Sequence, residues 1–273
     1  MLWTVRNMLV PNVYNLCSGV AALPDALARA IAGRVRTKLS HPVANVTDRG
    51  GEVEVTYAPD AGAEQTETFD GAVIATTAKP ALAMFPQMDE NHRSLYETAR
   101  YRGLVTVALG LSREPRDRAT YILIPRVEDP DFIAVIADHI KAHNRAPAGK
   151  SLYTLLGSHE YLHRTWDRSD ELVLEDAIAC ASRYHGDVAG SLEQHRVVRW
   201  EEVVPVVDTG RFGLIARFKE RLDSSARVQF ASDLDRIPGV NGALVSGLEA
   251  ASRVIEARRS WRGSDGRVAH ASR

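Results

Sequence analysis

The segment that most restricts the fold lies near the end of the chain. Residues 228–251 read VQFASDLDRIPGVNGALVSGLEAA, which predicts a strand, a turn and a helix that begins near Gly242. Glycine at a helix start lets the backbone approach a neighbouring group closely, and the first N–H groups of a helix attract anions. The segment therefore predicts either close helix–strand packing or the closing part of a cofactor site.

The usual opening part of such a site does not occur in the sequence. A dinucleotide site normally begins with GxGxxG after a first strand, and a nucleoside triphosphate site with a P-loop. Neither pattern is present, and there is no GxSxG elbow to carry a serine nucleophile. The glycines cluster instead at Gly239, Gly242 and Gly247.

Composition narrows the class of protein. The 273 residues are 45% hydrophobic and carry a formal charge of -1, which disfavours nucleic acid and anionic membranes as partners. Cys17 and Cys180 lie too far apart in sequence for a CxxC site or a disulfide framework. The N-terminal apolar segment, residues 1–16, is interrupted by polar residues, so it predicts neither a signal peptide nor a membrane span. We expect a cytoplasmic protein.

Periodicity predicts a mixed α/β fold (α+β mixed). A helix is expected over GVAALPDALARAIAGR, followed by a small antiparallel meander that ends in a buried strand at residues 72–76. A helix from Lys79 through Tyr96 then leads to a second sheet, which contains GLVTVALGLS and SLYTLLGS. A strongly periodic helix is expected over residues 171–184.

One short motif allows a metal site. His159 and His163 form an HExxH pattern, and histidines at i and i+4 on a helix share one face, where they can hold zinc. A third ligand would have to come from Glu171 or Glu175. The alternative is a pair of surface histidines beside a helix start. We favour the second interpretation and predict no metal.

Five stretches, in order, resemble the flavin-dependent amine oxidase superfamily, and within it the branch of protoporphyrinogen oxidases and phytoene desaturases. SGVAALPDALARAIAGRV is similar to a GGxxxLPxxLA helix, with Ser18 replacing the first glycine. KLSHPVANVT resembles the strand that places a valine, here Val43, against the FAD adenine. FDGAVIATTAKPA resembles a strand and loop that place Ala75 and Thr76 near the cofactor.

The last two stretches complete the resemblance. VVRWEEVVPVVDTG is similar to RWxxxPxxxG and gives Trp200, Pro205 and Gly210. The closing segment resembles FAGD…SVEGAxxSGxxAA, in which the acidic residue, here Asp233, binds the ribityl chain. The resemblance implies FAD as the cofactor and a helix start, with Val240, Gly242 and Ala243, that faces the flavin.

The resemblance also implies a domain organisation. A partial FAD-binding, Rossmann-like domain is expected at residues 17–80 and 206–259, with an inserted substrate-binding domain at 81–205, built on a mixed or antiparallel sheet with helices. Residues 260–273 are expected to be a disordered tail. Because the family's GxGxxG unit is missing from the sequence, a partner chain is expected to supply it, so that the protein acts as a hetero-oligomer.

Two departures bear on the reaction. Thr106 stands about where amine oxidases proper place a lysine near the flavin, and Val206, Val207 and Gly239 occupy the approximate positions of their aromatic cage. These losses disfavour amine oxidation. We expect instead a split FAD-dependent oxidoreductase that oxidises a mostly apolar small molecule by hydride transfer to the flavin, through catalytic residues that the sequence does not identify. A catalytically degenerate binding or scaffold subunit and a flavin-dependent isomerase remain as alternatives.

Overall fold

The computed structural model describes residues 16, 18–59, 62–113, 119–142 and 144–268, and within the last range it does not describe the side chains of 260 and 262–268. Residues 1–15 of the expected N-terminal apolar segment, and Cys17, lie outside the described residues. In chain order the elements are helix α1 (Ala22–Ile31), strands β1 (Val43–Asp48), β2 (Val53–Tyr57), β3 (Gln65–Phe69) and β4 (Ala72–Ile74), helices α2 (Ala78–Met84) and α3 (Glu90–Glu97), strands β5 (Tyr101–Leu111), β6 (Tyr121–Leu123) and β7 (Phe132–Ala137), helix α4 (Asp138–Lys141), strand β8 (Ser151–Gly157), helices α5 (His159–Arg164) and α6 (Asp170–His185), strand β9 (Leu192–Pro205), helix α7 (Arg211–Glu220), strand β10 (Val228–Phe230) and helix α8 (Val240–Val268).

The chain forms two compact units. Of the described residues, the first unit contains those up to Arg36 together with those of Gly103–Glu201, and the second contains those of Thr37–Arg102 together with those from Glu202 onward. These boundaries differ from the expected domain limits at 80/81 and 205/206, and the assignment of a cofactor or substrate role to each unit stays a prediction.

The first unit is built on a five-stranded sheet with the order β6-β7-β8-β5-β9. Along β5 from Gly103 onward and along β8, the odd-numbered residues are buried and the even-numbered ones are half-buried. This period of two is what a sheet with one fully covered face requires. The covered face forms one apolar core with α5 and α6, which includes Val105, Val107, Leu109, Tyr153, Leu155, Leu162, Val173 and Ala177.

The second unit contains the expected antiparallel meander, in the order β1-β2-β3, and a two-stranded parallel sheet of β4 and β10. Helices α2, α3 and α7 pack with these strands around an apolar core that includes Ile74, Ala81, Phe85, Leu95, Phe218, Phe230 and Leu234. The mixed α/β architecture agrees with the expected fold class.

The expected helix from Lys79 through Tyr96 is two helices. Helix α2 ends at Met84, and α3 begins after Asp89, whose carboxylate accepts a hydrogen bond from the His92 backbone N–H at 3.0 Å. Pro86 lies between them and disfavours helical geometry in the residue before it, while Asp89 provides an N-cap. Local chemistry therefore divides a segment whose apolar pattern looks continuous.

Helix α8 continues through residues 260–268, where a disordered tail was expected. Trp261 provides an anchor within this part. Its indole N–H donates to the Ser225 carbonyl oxygen at 3.1 Å, and its ring lies 4.4 Å from the Arg227 guanidinium. Since these contacts fix the helix near the amino end of β10, the first residues of the expected tail are ordered. Residues 269–273 lie outside the described part of the chain.

Candidate functional site

The candidate cofactor site lies at the carboxyl end of the parallel strand pair in the second unit. Strands β4 and β10 align Val228 with Ala72 and Phe230 with Ile74. The Ala231 N–H donates to the Ile74 carbonyl oxygen at 2.9 Å, which holds the two chains together just beyond the strands. Ligands of open parallel sheets bind at this edge, because loops and helix starts converge there.

Four of the predicted cofactor residues lie at or next to this edge. Ala75 and Thr76 follow β4 directly, and Asp233 is the third residue after β10. Ala75 is exposed, while Thr76 and Asp233 are half-buried. Val240 is the first residue of α8 and is 56% exposed. Their proximity follows from the strand pairing, and their contact with FAD stays a prediction.

The loop that carries Asp233 is held by its own side chains. One carboxylate oxygen of Asp233 accepts a hydrogen bond from the Gly239 N–H at 3.2 Å. Ser232, which replaces a glycine of the family pattern, accepts from the Leu234 N–H at 3.2 Å and donates its own N–H to the Ser246 hydroxyl oxygen at 2.9 Å. The serine therefore has a structural role as the cap of the turn that presents Asp233.

The tip of α8 is accessible. Val240, Asn241 and Ala243 are all exposed, so the side chains that the structure describes leave the tip uncovered. The first backbone N–H groups of a helix lack intrahelical acceptors and carry the positive end of the helix dipole. An accessible tip beside a carboxylate fits the ribityl hydroxyls and the electron-rich end of a flavin, so the residues present are compatible with FAD.

The glycine at position 242 is explained by packing within the protein and does not require a cofactor contact. It is buried, and a Cβ built at this position would lie 2.4 Å from the Ile237 carbonyl oxygen. The glycine is thus required by the preceding loop of the protein itself, which is the packing alternative for a glycine at a helix start. A contact between Gly242 and the cofactor stays a prediction that this packing does not need.

Val43 and Trp200 lie elsewhere. Val43 begins β1 of the meander, pairs with Tyr57 and is 37% exposed. Trp200 belongs to β9 in the first unit and is 51% exposed. The indole N–H of Trp200 donates to the Thr106 hydroxyl oxygen at 3.2 Å. The structure thus pairs Trp200 with Thr106, and the correspondence of Thr106 with the lysine of amine oxidases proper stays a prediction.

Sequence reasoning missed Arg211, which is 8% exposed at the start of α7. Its guanidinium donates to the carbonyl oxygens of Leu95 and Leu234, at 3.4 and 3.2 Å, and to the Thr98 hydroxyl at 3.3 Å. Burial lowers the pKa of Arg211, although the nearby Tyr101 and aspartates oppose the change. By holding Leu234, Arg211 fixes the loop beside Asp233. The one sequence signal for Arg211 is that it follows Gly210, whose φ of 87° marks the residue before the helix start.

Two tyrosines also approach this loop. Burial raises the pKa of Tyr101 to about 12, and the negative charges of Glu202 and Asp233 add to the effect. The Tyr101 hydroxyl oxygen accepts the Ala78 N–H at 3.2 Å, at the start of α2. Burial likewise raises the pKa of Tyr96. Both phenols are therefore protonated at neutral pH and can act as hydrogen-bond donors.

The HExxH residues make contacts that oppose zinc binding. The Gly103 N–H donates to Nδ1 of His159 at 3.0 Å, so the neutral ring carries its proton on Nε2 and directs it toward Nε2 of His163, 3.2 Å away. A metal on His159 Nε2 would require the opposite tautomer. Among the residues that the structure describes, no group of three or more His, Cys, Asp or Glu could hold a metal ion.

The even-numbered residues of β5 and β8 form what we call the second sheet face. They are half-buried and include no charged side chain from Leu104 onward; they are Leu104, Thr106, Ala108, Gly110, Leu152, Thr154 and Leu156. A solvated face of an antiparallel sheet normally carries polar residues. The composition of this face therefore favours contact with apolar groups.

The described helices include none that is long and apolar enough to cross a membrane. No curated protein matches the sequence. Solved structures do match in fold, at identities that support the fold alone. A protein of Exiguobacterium sp. 255-15, assigned by name as a protoporphyrinogen oxidase, has a TM-score of 0.69 and 15% identity, with 91% of this chain and 52% of that chain covered.

Two further solved structures have similar TM-scores, identities and coverages. Cyclohexylamine oxidase from Brevibacterium oxydans IH-35A has a TM-score of 0.60 and 13% identity, over 90% of this chain and 53% of that one. Reduced UDP-galactopyranose mutase has a TM-score of 0.60 and 13% identity, over 80% and 46%. The chain therefore spans about half the length of these solved relatives.

The family comparison is more specific than the fold comparison. The model of the flavin-containing amine oxidoreductases matches residues 5–255, which is most of the chain. The match confirms the resemblance to this superfamily and the expectation that the cofactor is a flavin, FAD. This chain belongs to the flavin-containing amine oxidoreductase family.

Proposed function

We propose that the protein is part of an FAD-dependent oxidoreductase that takes hydride from a C–H or C–N bond of a mostly apolar small molecule. The observation that carries the proposal is the accessible tip of α8 beside Asp233, at the carboxyl end of a parallel strand pair. Bound FAD would supply the hydride acceptor. The family membership supports the same chemistry.

The chain's own residues have binding and positioning roles in this proposal. Asp233 uses one carboxylate oxygen to hold Gly239, and a carboxylate can accept further hydrogen bonds, here from ribityl hydroxyls. The N–H groups at the start of α8 would stabilise negative charge on a bound flavin. Arg211 acts indirectly, because it holds the Leu234 carbonyl and so the loop that positions Asp233.

A partner polypeptide segment completes the site in this proposal and supplies the GxGxxG unit. Helix α8 carries an exposed apolar stripe on the side away from its buried residues, formed by Val240, Leu244, Leu248 and Ile255. These residues follow helical spacing, and such a stripe normally packs against another element. The remaining half of the solved relatives' length is of the right size to provide that element.

The experiment is co-expression of this chain with the product of a neighbouring gene that carries GxGxxG, followed by purification and an absorption spectrum. We expect a yellow complex with a flavin spectrum. Asp233→Ala should weaken FAD retention, whereas Asp167→Ala, an exposed aspartate in the first unit, should not. A colourless complex that does not bind added FAD would contradict the proposal and favour a catalytically degenerate scaffold.

A second candidate is isomerisation without net oxidation. It is favoured by the fold similarity to UDP-galactopyranose mutase and by the Thr106 hydroxyl in place of lysine. Product analysis separates the two reactions, since an isomerase returns a product of unchanged mass and consumes no electron acceptor.

A further inference from the structure

A cavity of about 420 Å³ lies beside strand β10 in the second unit. Its volume is in the range of pockets that hold small molecules. Its floor is apolar, because Phe85, Val228 and Phe230 line it and are otherwise buried. The cavity extends to Asp223 and Ala226, which precede β10, whereas the candidate cofactor edge follows that strand. The predicted cofactor residues are not among those that line it.

The rim of the cavity is acidic. Asp48, Asp89 and Asp223 line it, and the described residues around it include no lysine or arginine. Asp48 is half-buried, and the other two aspartates are exposed. Asp89 binds the ring of His92, with 2.5 Å between Oδ2 and Nδ1. Three carboxylates therefore surround an apolar floor with one histidine as their basic neighbour.

Two of these carboxylates are negative at neutral pH. Hydrogen bonds from the hydroxyl and N–H of Ser225 lower the pKa of Asp223, and the negative charge of Asp89 opposes this change. Burial opposes ionisation of Asp89, but hydrogen bonds from the ring and the backbone N–H of His92 outweigh burial and lower its pKa. Asp89 and Asp223 therefore repel each other, and a cation in the cavity would offset this repulsion.

Two arginines contact residues beside the cavity and are engaged there. Arg227 donates to the carbonyl oxygens of Gly50 and Asp70, at 3.0 and 2.9 Å. Arg93 donates to the Pro86 carbonyl oxygen at 2.9 Å. Neither arginine lines the cavity, so the volume beside the carboxylates stays open to a cation from solution.

The lining also distinguishes between kinds of cation. Among the described residues, no group of three or more His, Cys, Asp or Glu could hold a metal ion. The volume is also far larger than one ion needs, and the apolar floor has no ligand atoms to offer a metal. A hydrocarbon body can pack against this floor and remove apolar surface from water. The cavity thus provides space for an organic body, and the carboxylates select its charge.

We propose that this cavity binds a small organic cation, with its apolar body on the floor and its ammonium group among the three carboxylates. An ammonium group has N–H donors and no acceptor, and carboxylates have acceptors and no donor, so the two groups are complementary. Binding at this site does not require FAD, and the inference therefore goes beyond the proposed function.

The test uses the purified chain without flavin. The probes share one fluorinated skeleton: 2-(4-fluorophenyl)ethylammonium, 2-(4-fluorophenyl)ethanol and 3-(4-fluorophenyl)propionate. Fluorine NMR titrations measure the affinity of each probe. We expect the ammonium to bind about tenfold tighter than the alcohol, the ratio that three exposed ion pairs supply together, and the propionate to bind more weakly than the alcohol. Raising sodium chloride from about 20 mM to about 500 mM should reduce the ammonium preference, because salt screens exposed charges.

Two variants remove charge and keep the local hydrogen bonds. The amide oxygen of Asp48→Asn can still accept the Gly50 N–H, which the carboxylate accepts at 2.7 Å, and that of Asp223→Asn can still accept the Ser225 N–H. Each substitution should weaken ammonium binding about twofold, and the two together about fourfold, with alcohol binding unchanged. Asp167→Asn removes an exposed carboxylate in the first unit and is the matched control.

A third variant tests the cavity itself. Ala226 lines the cavity and is half-buried, so Ala226→Leu should occupy part of the volume and weaken the binding of all three probes. Circular dichroism checks that each variant folds. If Ala226→Leu does not fold, the aspartate variants still test the charge preference.

Three results on the chain alone would overturn the inference. They are equal affinity for the ammonium and the alcohol, an ammonium preference that survives in the double aspartate variant, and probe binding that Ala226→Leu leaves unchanged. The same titration on the chain in complex with the proposed partner polypeptide adds a fourth. If the complex no longer binds the ammonium, a cationic side chain of the partner is the occupant and the proposal is overturned.

Discussion

Trp200 and Thr106 are joined by a hydrogen bond from the indole N–H to the hydroxyl oxygen, 3.2 Å long. The Thr106 hydroxyl also lies 3.5 Å from the carbonyl oxygen of Val198, which is two residues before Trp200 on β9. An aromatic side chain that is half exposed is thereby held in one orientation. In this protein, Thr106 therefore holds an indole.

Thr106→Val should release the indole with little loss of stability. Valine has a similar shape but cannot accept the indole N–H, and because Trp200 is half exposed, water can replace the hydroxyl. We expect a loss of about 0.5 kcal/mol in the free energy of unfolding. Hydrogen exchange of the Trp200 indole, assigned by its absence in Trp200→Phe, should become faster. Thr56→Val, on the exposed meander, is the control and should leave that exchange rate unchanged.

Arg211→Met should destabilise the second unit strongly. The substitution leaves the oxygens of Leu95, Thr98 and Leu234 without their donor in a buried place, at a cost of about 2–4 kcal/mol. Urea unfolding measures the loss. Arg217→Met, on the exposed side of the same helix, should change stability by less than about 0.5 kcal/mol. Equal effects of the two substitutions would argue against the buried network.

The two glycines of α8 should respond to alanine in opposite ways. Gly242→Ala places a Cβ 2.4 Å from the Ile237 carbonyl oxygen and should cost about 1–3 kcal/mol. Gly247 has open space around its Cβ position, so Gly247→Ala should stabilise the helix by about 0.5–1 kcal/mol. Thermal unfolding of both variants provides the comparison. If Gly242→Ala stabilised the protein, the loop that contains Ile237 would have to move away from the new Cβ at little energetic cost.

Acid should weaken the first unit through Asp129. Burial opposes ionisation of this carboxyl, but the backbone N–H groups of Phe132 and Asp131 and the Arg183 guanidinium outweigh burial and lower its pKa from the ordinary 3.8. A lowered folded pKa contributes stability above the unfolded pKa and loses it as the pH falls further.

Asp129→Asn should therefore destabilise the protein by about 1–3 kcal/mol at pH 7. The difference from the unaltered chain should shrink as the pH falls below the ordinary pKa of 3.8, and it should be lost below the lowered folded pKa, where the carboxyl is protonated in both states. Urea titrations at neutral and acidic pH measure this difference. A gap that stays constant with pH would mean that the charge of Asp129 has no part in the effect.

The sequence predicted the elements whose signals are local. The meander has turn residues between alternating strands, and the closing strand and helix have apolar periodicity and a glycine near the helix start. The division between α2 and α3 also had a local cause, at Pro86 and Asp89, but the continuous apolar pattern concealed it.

Other features depend on contacts that no local pattern encodes. In the sequence, nothing distinguishes Arg211 from another arginine at a helix start. Its role depends on the carbonyl oxygens of Leu95 and Leu234, which only the fold brings close to it. The pairing of Trp200 with Thr106 joins residues on different strands. The extension of α8 beyond residue 259 accompanies the packing of Trp261 on Arg227, which opposes the disorder expected from a polar, glycine-containing composition.

Helix α8 has 29 residues, so as a continuous rod it would be roughly 44 Å long. Its accessible tip and Trp261 thus belong to one continuous helix, which packs on β4 and β10 between them. We expect that a change in the loop around Ser225, which binds Trp261, can affect the distant tip without altering any residue there. Residues at the opposite end of the strands are accordingly expected to contribute to the orientation of the amide groups at the cofactor edge.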